Sequence, residues 1–202
     1  MPVNKTVPIA PTRAMPNPNG LDDLLQMAGQ PLPPEVLADL RTDQAGEVGA
    51  VCIYKGVLMF TRDGALREFA KRHLATEQQH LERIQAWLPA AHYSRLLPVW
   101  RIAGFLTGAL PAIWGPRAVY ATIESVETFV DRHYAAQIQA LTAQPRLWSL
   151  RQTLQACQAD EIQHRVEAAG AHDAAQMGGL LRLWCATVAW GSRRAVAVCR
   201  HI

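Results

Sequence analysis

The sequence has no basic run, no aromatic-basic stripe, no Cys-x-x-Cys pair and no alternating strand pattern. Each lack removes a class of function. Nucleic-acid binding needs a Lys/Arg patch, usually interleaved with aromatics, and a net charge of +3 spread over 202 residues supplies none. Cys52, Cys157, Cys185 and Cys199 are scattered and form no dense framework; they read as reduced thiols packed in the helices of a cytosolic protein. Residues 1–20 are rich in Pro and Asn and lack the apolar stretch of a secretory signal. They read as part of a flexible leader over residues 1–33, with a short helix over 21–29. Without period-two alternation, the class is all-α.

What is present is helical. Residues 34–202 read as one domain, 50% of the whole chain being apolar, which is enough for a sizeable core. Helices are expected over 35–61, 65–88, 96–114, 116–142, 145–170 and from 176 to the C-terminus. Asp63-Gly64 separates the first two and Pro89 stops the second. The third is apolar, with Trp100 and Trp114. A membrane span needs about 20 mainly apolar residues, but Arg101 lies inside this stretch and prolines stand at both ends. A segment lying on the lipid surface fits better. The last helix, with Leu180, Leu183, Trp184 and Trp190 before Arg193 and Arg194, is expected to assist it. The alternative for both is a core helix or an oligomer interface.

The most informative pattern is a repeated Glu-x-x-His: Glu77-Gln78-Gln79-His80 and Glu161-Ile162-Gln163-His164. Residues three apart share a helix face, so each pair offers a carboxylate and an imidazole to one metal. With seven His in the chain, about a third of one such pair is expected by chance; two occur. A four-helix bundle with a dinuclear centre also needs one Glu from each of two other helices. Glu47 stands among small residues in the first helix. In the fourth, Glu124 and Glu127 compete. Tyr54 lies seven after Glu47 and Tyr134 seven after Glu127, so Glu127 preserves a likeness between the two halves of the chain, and it is the choice. Carboxylates with neutral imidazoles suit iron or manganese. Asp43 and Asp160 are candidates to hold the outer N–H of a ligating imidazole. His73 and His172 read as surface residues, His92 and His201 as linker and terminus, and Tyr54 and Tyr134 as core aromatics or redox participants.

The runs Leu40-Arg41-Thr42-Asp43-Gln44-Ala45-Gly46-Glu47-Val48-Gly49-Ala50, Glu77-Gln78-Gln79-His80-Leu81, Leu97-Pro98-Val99-Trp100-Arg101-Ile102-Ala103-Gly104-Phe105, Val126-Glu127 with His133-Tyr134, and Asp160-Glu161-Ile162-Gln163-His164 together resemble the demethoxyubiquinone hydroxylases of ubiquinone biosynthesis. The resemblance covers roughly residues 40–201. It implies a ferritin-like four-helix bundle with added apolar membrane-contacting helices. Six iron ligands fall on Glu47, Glu77, His80, Glu127, Glu161 and His164, as the spacing suggested. Gln44 and Arg165 stand where many members have His, and neither position is a ligand.

The implied activity is a di-iron monooxygenase. It hydroxylates a polyprenylated methoxy-methyl-benzoquinol with dioxygen, using two irons per chain that cycle between Fe2+ and Fe3+, with NADH as electron source. His133, Tyr134 and Tyr54 are candidates for substrate contact or electron delivery. Expected partners are the membrane-dissolved quinol, the lipid surface, and a biosynthetic complex or a second copy of the chain. The expected location is peripheral, on the cytoplasmic face of the inner (cell) membrane. Competing readings are a di-iron oxidase of another substrate, ferritin-like iron sequestration, and a quinone-binding scaffold.

Overall fold

The computed structural model describes residues 32–202, so the expected leader and its helix over 21–29 lie outside the described residues. Six α-helices follow: α1 Pro34–Phe60, α2 Gly64–Trp87, α3 Leu97–Trp114, α4 Pro116–Leu141, α5 Trp148–Gly170 and α6 Gly179–Cys199. There is no strand among the described residues. The class is all-α, as the missing alternation required.

Local chemistry sets the boundaries. Pro34 opens α1, where its missing N–H costs no helical hydrogen bond. Asp63 does more than separate two helices: its side chain accepts from the Leu66 N–H at 2.8 Å and caps α2. Leu88, held extended before Pro89, ends α2. Gly115 turns between α3 and α4 at φ 107°, a conformation that favours glycine, and Pro116 then starts α4. Two expected boundaries shift. Pro145–Leu147 is a 3-10 turn ahead of α5, and α6 starts at Gly179, three residues late. The Asp173 side chain accepts from the Ala175 N–H and tightens Ala174–Gln176 into a 3-10 turn of its own.

Two apolar clusters form the core. One gathers Leu40, Ile84, Tyr134 and Cys157; the other gathers Ile53, Ala70, Ile123 and Ala168. Each of α1, α2, α4 and α5 thus contributes to both, and the order along each helix gives its direction. α1 and α5 pass from the first cluster to the second, while α2 and α4 pass from the second to the first. Joining α2 to α4 therefore requires a return along the bundle, and α3 makes it. This is the four-helix arrangement with one long crossover. Between the two clusters, on all four helices, fall Glu47, Glu77, His80, Glu127, Glu161 and His164.

α3 lies against α1 at very short range. A Cβ on Gly104 would run into the carbonyl oxygen of Gly49, and one on Gly108 into that of Ile53. No side chain other than hydrogen fits there. The rest of α3 faces outward: only 28% of it is buried, and Val99, Ile102, Leu106, Leu110, Ile113 and Trp114 are exposed. α6 packs on α4 and leaves Leu180, Leu183, Trp190 and Val198 exposed. Neither helix is a buried core helix of the chain.

Candidate metal centre

The six Glu and His residues converge in the layer between the clusters. Glu47, Glu77, His80 and Glu161 present ligand atoms within 4.8 Å of one another, and Glu77, Glu127, Glu161 and His164 do the same. Glu77 and Glu161 belong to both groups, so two cation positions would share them. All six residues are buried, none more than 5% exposed. Glu124, the competitor of Glu127, instead points to the edge of the bundle and pairs with His172 at 2.7 Å.

Both imidazoles turn Nδ1 inward. His80 Nδ1 lies 3.0 Å from Glu161 Oε1 and 3.7 Å from Glu77 Oε2. His164 Nδ1 lies 3.2 Å from Glu77 Oε1 and 3.3 Å from Glu161 Oε2. The tyrosines cross over between the halves. Tyr134 of α4 donates to Glu47 of α1 at 2.5 Å, and Tyr54 of α1 donates to Glu127 of α4 at 3.5 Å.

The electrostatics suit cations. Burial, then the carboxylates of Glu77 and Glu161, push Glu47 well above the usual carboxylate range. Burial, Glu161 and Glu77 do the same to Glu127. Burial also acts upward on Glu77, but the imidazoles of His164 and His80 outweigh it and bring it down to about 2. Against the opposing effect of burial, the carboxylates raise His80 strongly and His164 to about 9. Protons thus balance the charge of four inward carboxylates. Even so, Glu47 Oε2, both oxygens of Glu77, Glu161 Oε2 and His164 Nδ1 remain buried without a hydrogen-bond partner. Buried polar atoms left unpaired in this way are costly, and these are aimed at common points. Two divalent cations would satisfy all of them, and the oxygen-and-imidazole donor set fits iron.

The surroundings correct several expectations. Asp160 accepts from His80 Nε2 at 3.0 Å, the geometry anticipated for an outer partner. Asp43 does not contact a centre imidazole. It faces α4, where its Oδ1 accepts from Gln137 Nε2 at 2.7 Å and lies 3.0 Å from His133 Nε2. His73 is not a surface residue: it is 3% exposed, packed on Phe69 and on the ring of His164. The side chain of His172 is likewise enclosed, beside Glu124. Sequence reading gave no role to Gln137 or Glu167 and put His73 at the surface. A signal existed for the last two: His73 lies two turns before His80, and Glu167 one turn after His164, so each shares a face with a candidate ligand.

A cavity of about 570 Å³ reaches the centre. Glu47, Glu77, Glu127 and Glu161 lie on its wall beside His133 and Tyr134, and its remaining lining is mostly apolar, from α1, α3, α4 and α6. Tyr54 belongs to the second apolar cluster.

The whole bundle has known relatives. The family model described as Ubiquinone biosynthesis protein COQ7 matches residues 35–199. The 3-demethoxyubiquinol 3-hydroxylase of Rhodospirillum rubrum is 33% identical over 144 residues, 69% of this chain and 67% of that protein. An NADPH-dependent 3-demethoxyubiquinone 3-hydroxylase, mitochondrial, of Dictyostelium discoideum is 32% identical over 167 residues, 78% of this chain and 73% of the other. The 5-demethoxyubiquinone hydroxylase, mitochondrial, of Saccharomyces cerevisiae is 31% identical over 152 residues, 66% and 64% of the two chains. With these matches, and with all the paired Glu and His residues inside the matched span, the chain belongs to the COQ7 family of ubiquinone biosynthesis proteins.

Proposed function

We propose that this chain hydroxylates a polyprenylated methoxy-methyl-benzoquinol in ubiquinone biosynthesis, at a di-iron centre held by Glu47, Glu77, His80, Glu127, Glu161 and His164. The observation that carries the reading is the apolar cavity that ends on four of these carboxylates. When bound, the iron pair supplies dioxygen activation, one oxygen atom going to the ring and the other leaving as water with two electrons and two protons from outside.

The chain's own residues do the rest. Glu77 and Glu161 would serve both metal positions, with Glu47 and His80 holding one and Glu127 and His164 the other. Tyr134 fixes the rotamer of Glu47 through its 2.5 Å hydrogen bond. The apolar walls exclude water from the quinol ring and orient its tail away from the carboxylates. His133, on the cavity wall and tied to Asp43, is placed to hold a ring hydroxyl or pass it a proton.

The substrate's tail also accounts for α3 and α6. Both line the cavity, and both leave apolar residues exposed outside the bundle. A peripheral seat on the cytoplasmic face of the inner (cell) membrane, with these helices against lipid, lets the tail pass without crossing water. Sequence pointed to NADH as electron source; the relatives named NADPH-dependent widen this to a reduced nicotinamide nucleotide.

Mass spectrometry of quinones in cells lacking the chain tests the substrate. Accumulation of the demethoxy precursor is expected, reversed by the native chain but not by His164→Ala; an unchanged quinone profile overturns the reading.

A further inference from the structure

A second cavity, of about 520 Å³, lies in the groove between α4 and α6. Helical spacing builds its walls. Ser125, Thr128, Phe129 and Arg132 recur at three- and four-residue steps along one face of α4. Cys185, Ala189 and Arg193 recur at four-residue steps along α6. Cysteine and alanine leave the space open, and each helix adds one arginine.

The free charge of this cavity has one sign. Its one acidic residue, Glu124, is engaged by the enclosed His172 at 2.7 Å. Arg132 and Arg193 are exposed and have no ion pair among the described residues. Two unpaired guanidinium groups, each a planar fork of donors, suit phosphate oxygens. Phe129, stacked on His133 with ring centroids 5.9 Å apart, adds an aromatic surface for a planar ring.

Position narrows the guest. Phe129 and His133 also line the first cavity, so the two cavities share a wall. A molecule held here adjoins the ring to be hydroxylated without entering the apolar passage. The reaction draws two electrons from outside, and a reduced nicotinamide nucleotide carries them on a planar ring joined to a pyrophosphate.

We propose that the groove between α4 and α6 binds the reduced nicotinamide nucleotide, with Arg132 and Arg193 on its pyrophosphate and the nicotinamide toward Phe129. This rests on the hydroxylase reading above for the identity of the guest, and deepens it by giving the electron donor a seat of its own. A volume of about 520 Å³ is within the range of small-molecule sites. An anionic phospholipid headgroup offers the same phosphate chemistry, and the test separates the two.

The test is titration of NADH into the purified full chain, without lipid, quinol or oxygen, followed by nicotinamide fluorescence. Saturable binding is expected. Arg132→Gln and Arg193→Gln are each expected to weaken it about ten- to a hundred-fold, with helical circular dichroism unchanged because both side chains are exposed. Arg182→Gln, on α6 but outside the cavity, is expected to bind as the native chain does. The site is overturned if the native chain binds no NADH, if Arg132→Gln and Arg193→Gln bind it as tightly as the native chain, or if Arg182→Gln weakens it equally. Should the first two variants keep NADH but float less with phosphatidylglycerol vesicles, the arginines hold lipid phosphate and the nucleotide has no place here. The titration needs no quinol, so each of these failures leaves the hydroxylase reading to be decided by the quinone profile.

Discussion

Tyr134 holds Glu47 across the bundle, its hydroxyl donating to Oε1 at 2.5 Å, and Tyr54 reaches Glu127 at 3.5 Å in the reverse sense. The two contacts tie α1 to α4 on either side of the centre. They are unequal, and so are the effects expected of losing them. Tyr134→Phe removes a short bond to a buried carboxyl and should lower stability by about 1–3 kcal/mol. Tyr54→Phe should cost less than about 1 kcal/mol. Urea midpoints of the metal-free variants read the difference; equal losses would show that the crossing is mere packing.

Metal uptake should release protons. In the metal-free chain Glu47 and Glu127 are raised by burial and neighbouring carboxylates, and His164 is raised to about 9, so protons occupy sites that a cation needs. Binding displaces them, and apparent Fe(II) affinity should climb as pH rises toward about 9. Calorimetry in buffers of different ionisation enthalpy counts the protons; a buffer-independent enthalpy would contradict the assignment. The sign for stability is opposite. His164 is raised from 6.5 to about 9, so its contribution to the metal-free fold is full below 6.5 and disappears as pH passes about 9.

The contact of α3 on α1 tolerates no added carbon. Gly108→Ala would place a methyl on the Ile53 carbonyl and should cost about 1–3 kcal/mol through forced displacement. Gly46→Ala, in the same α1 but with open space around its Cβ, serves as the control and should be neutral or slightly stabilising. Thermal melts of the two variants check this pair.

The exposed face of α3 should matter for lipid and not for folding. Ile102 is 63% exposed and Leu106 46%. Ile102→Asp with Leu106→Asp should change stability by less than about 0.5 kcal/mol per site. Flotation with anionic vesicles should nevertheless fall sharply. Undiminished flotation would remove α3 from the lipid contact.

Much of this was readable from spacing because helices impose it. Glu77 with His80, and Glu161 with His164, had to share a face, and the seven-residue step to Tyr134 singled out Glu127 over Glu124. Periodicity gives the face of a helix but not its neighbour. Asp43 and Asp160 looked equivalent in sequence, yet one faces α4 and the other His80. His73 looked solvated because its own helix is rich in charge; only the approach of α5 encloses it. The start of α6 slipped because Ala174–Gln176 closes into a 3-10 turn of its own, capped by Asp173, and the chain then runs extended through Gly178 before the helix begins.

The hydrogen-only seam between α1 and α3 has one more consequence. Gly49 and Gly104 both border the cavity, and their backbones already meet. Replacement of Gly104 by any larger residue moves the helices apart, whereas a Cβ on Gly49 meets the Trp100 side chain first, and no natural residue brings the helices closer. Drift at Gly104 is therefore a ratchet: it broadens the passage and its tolerance for bulkier guests, and it has no route to a tighter one.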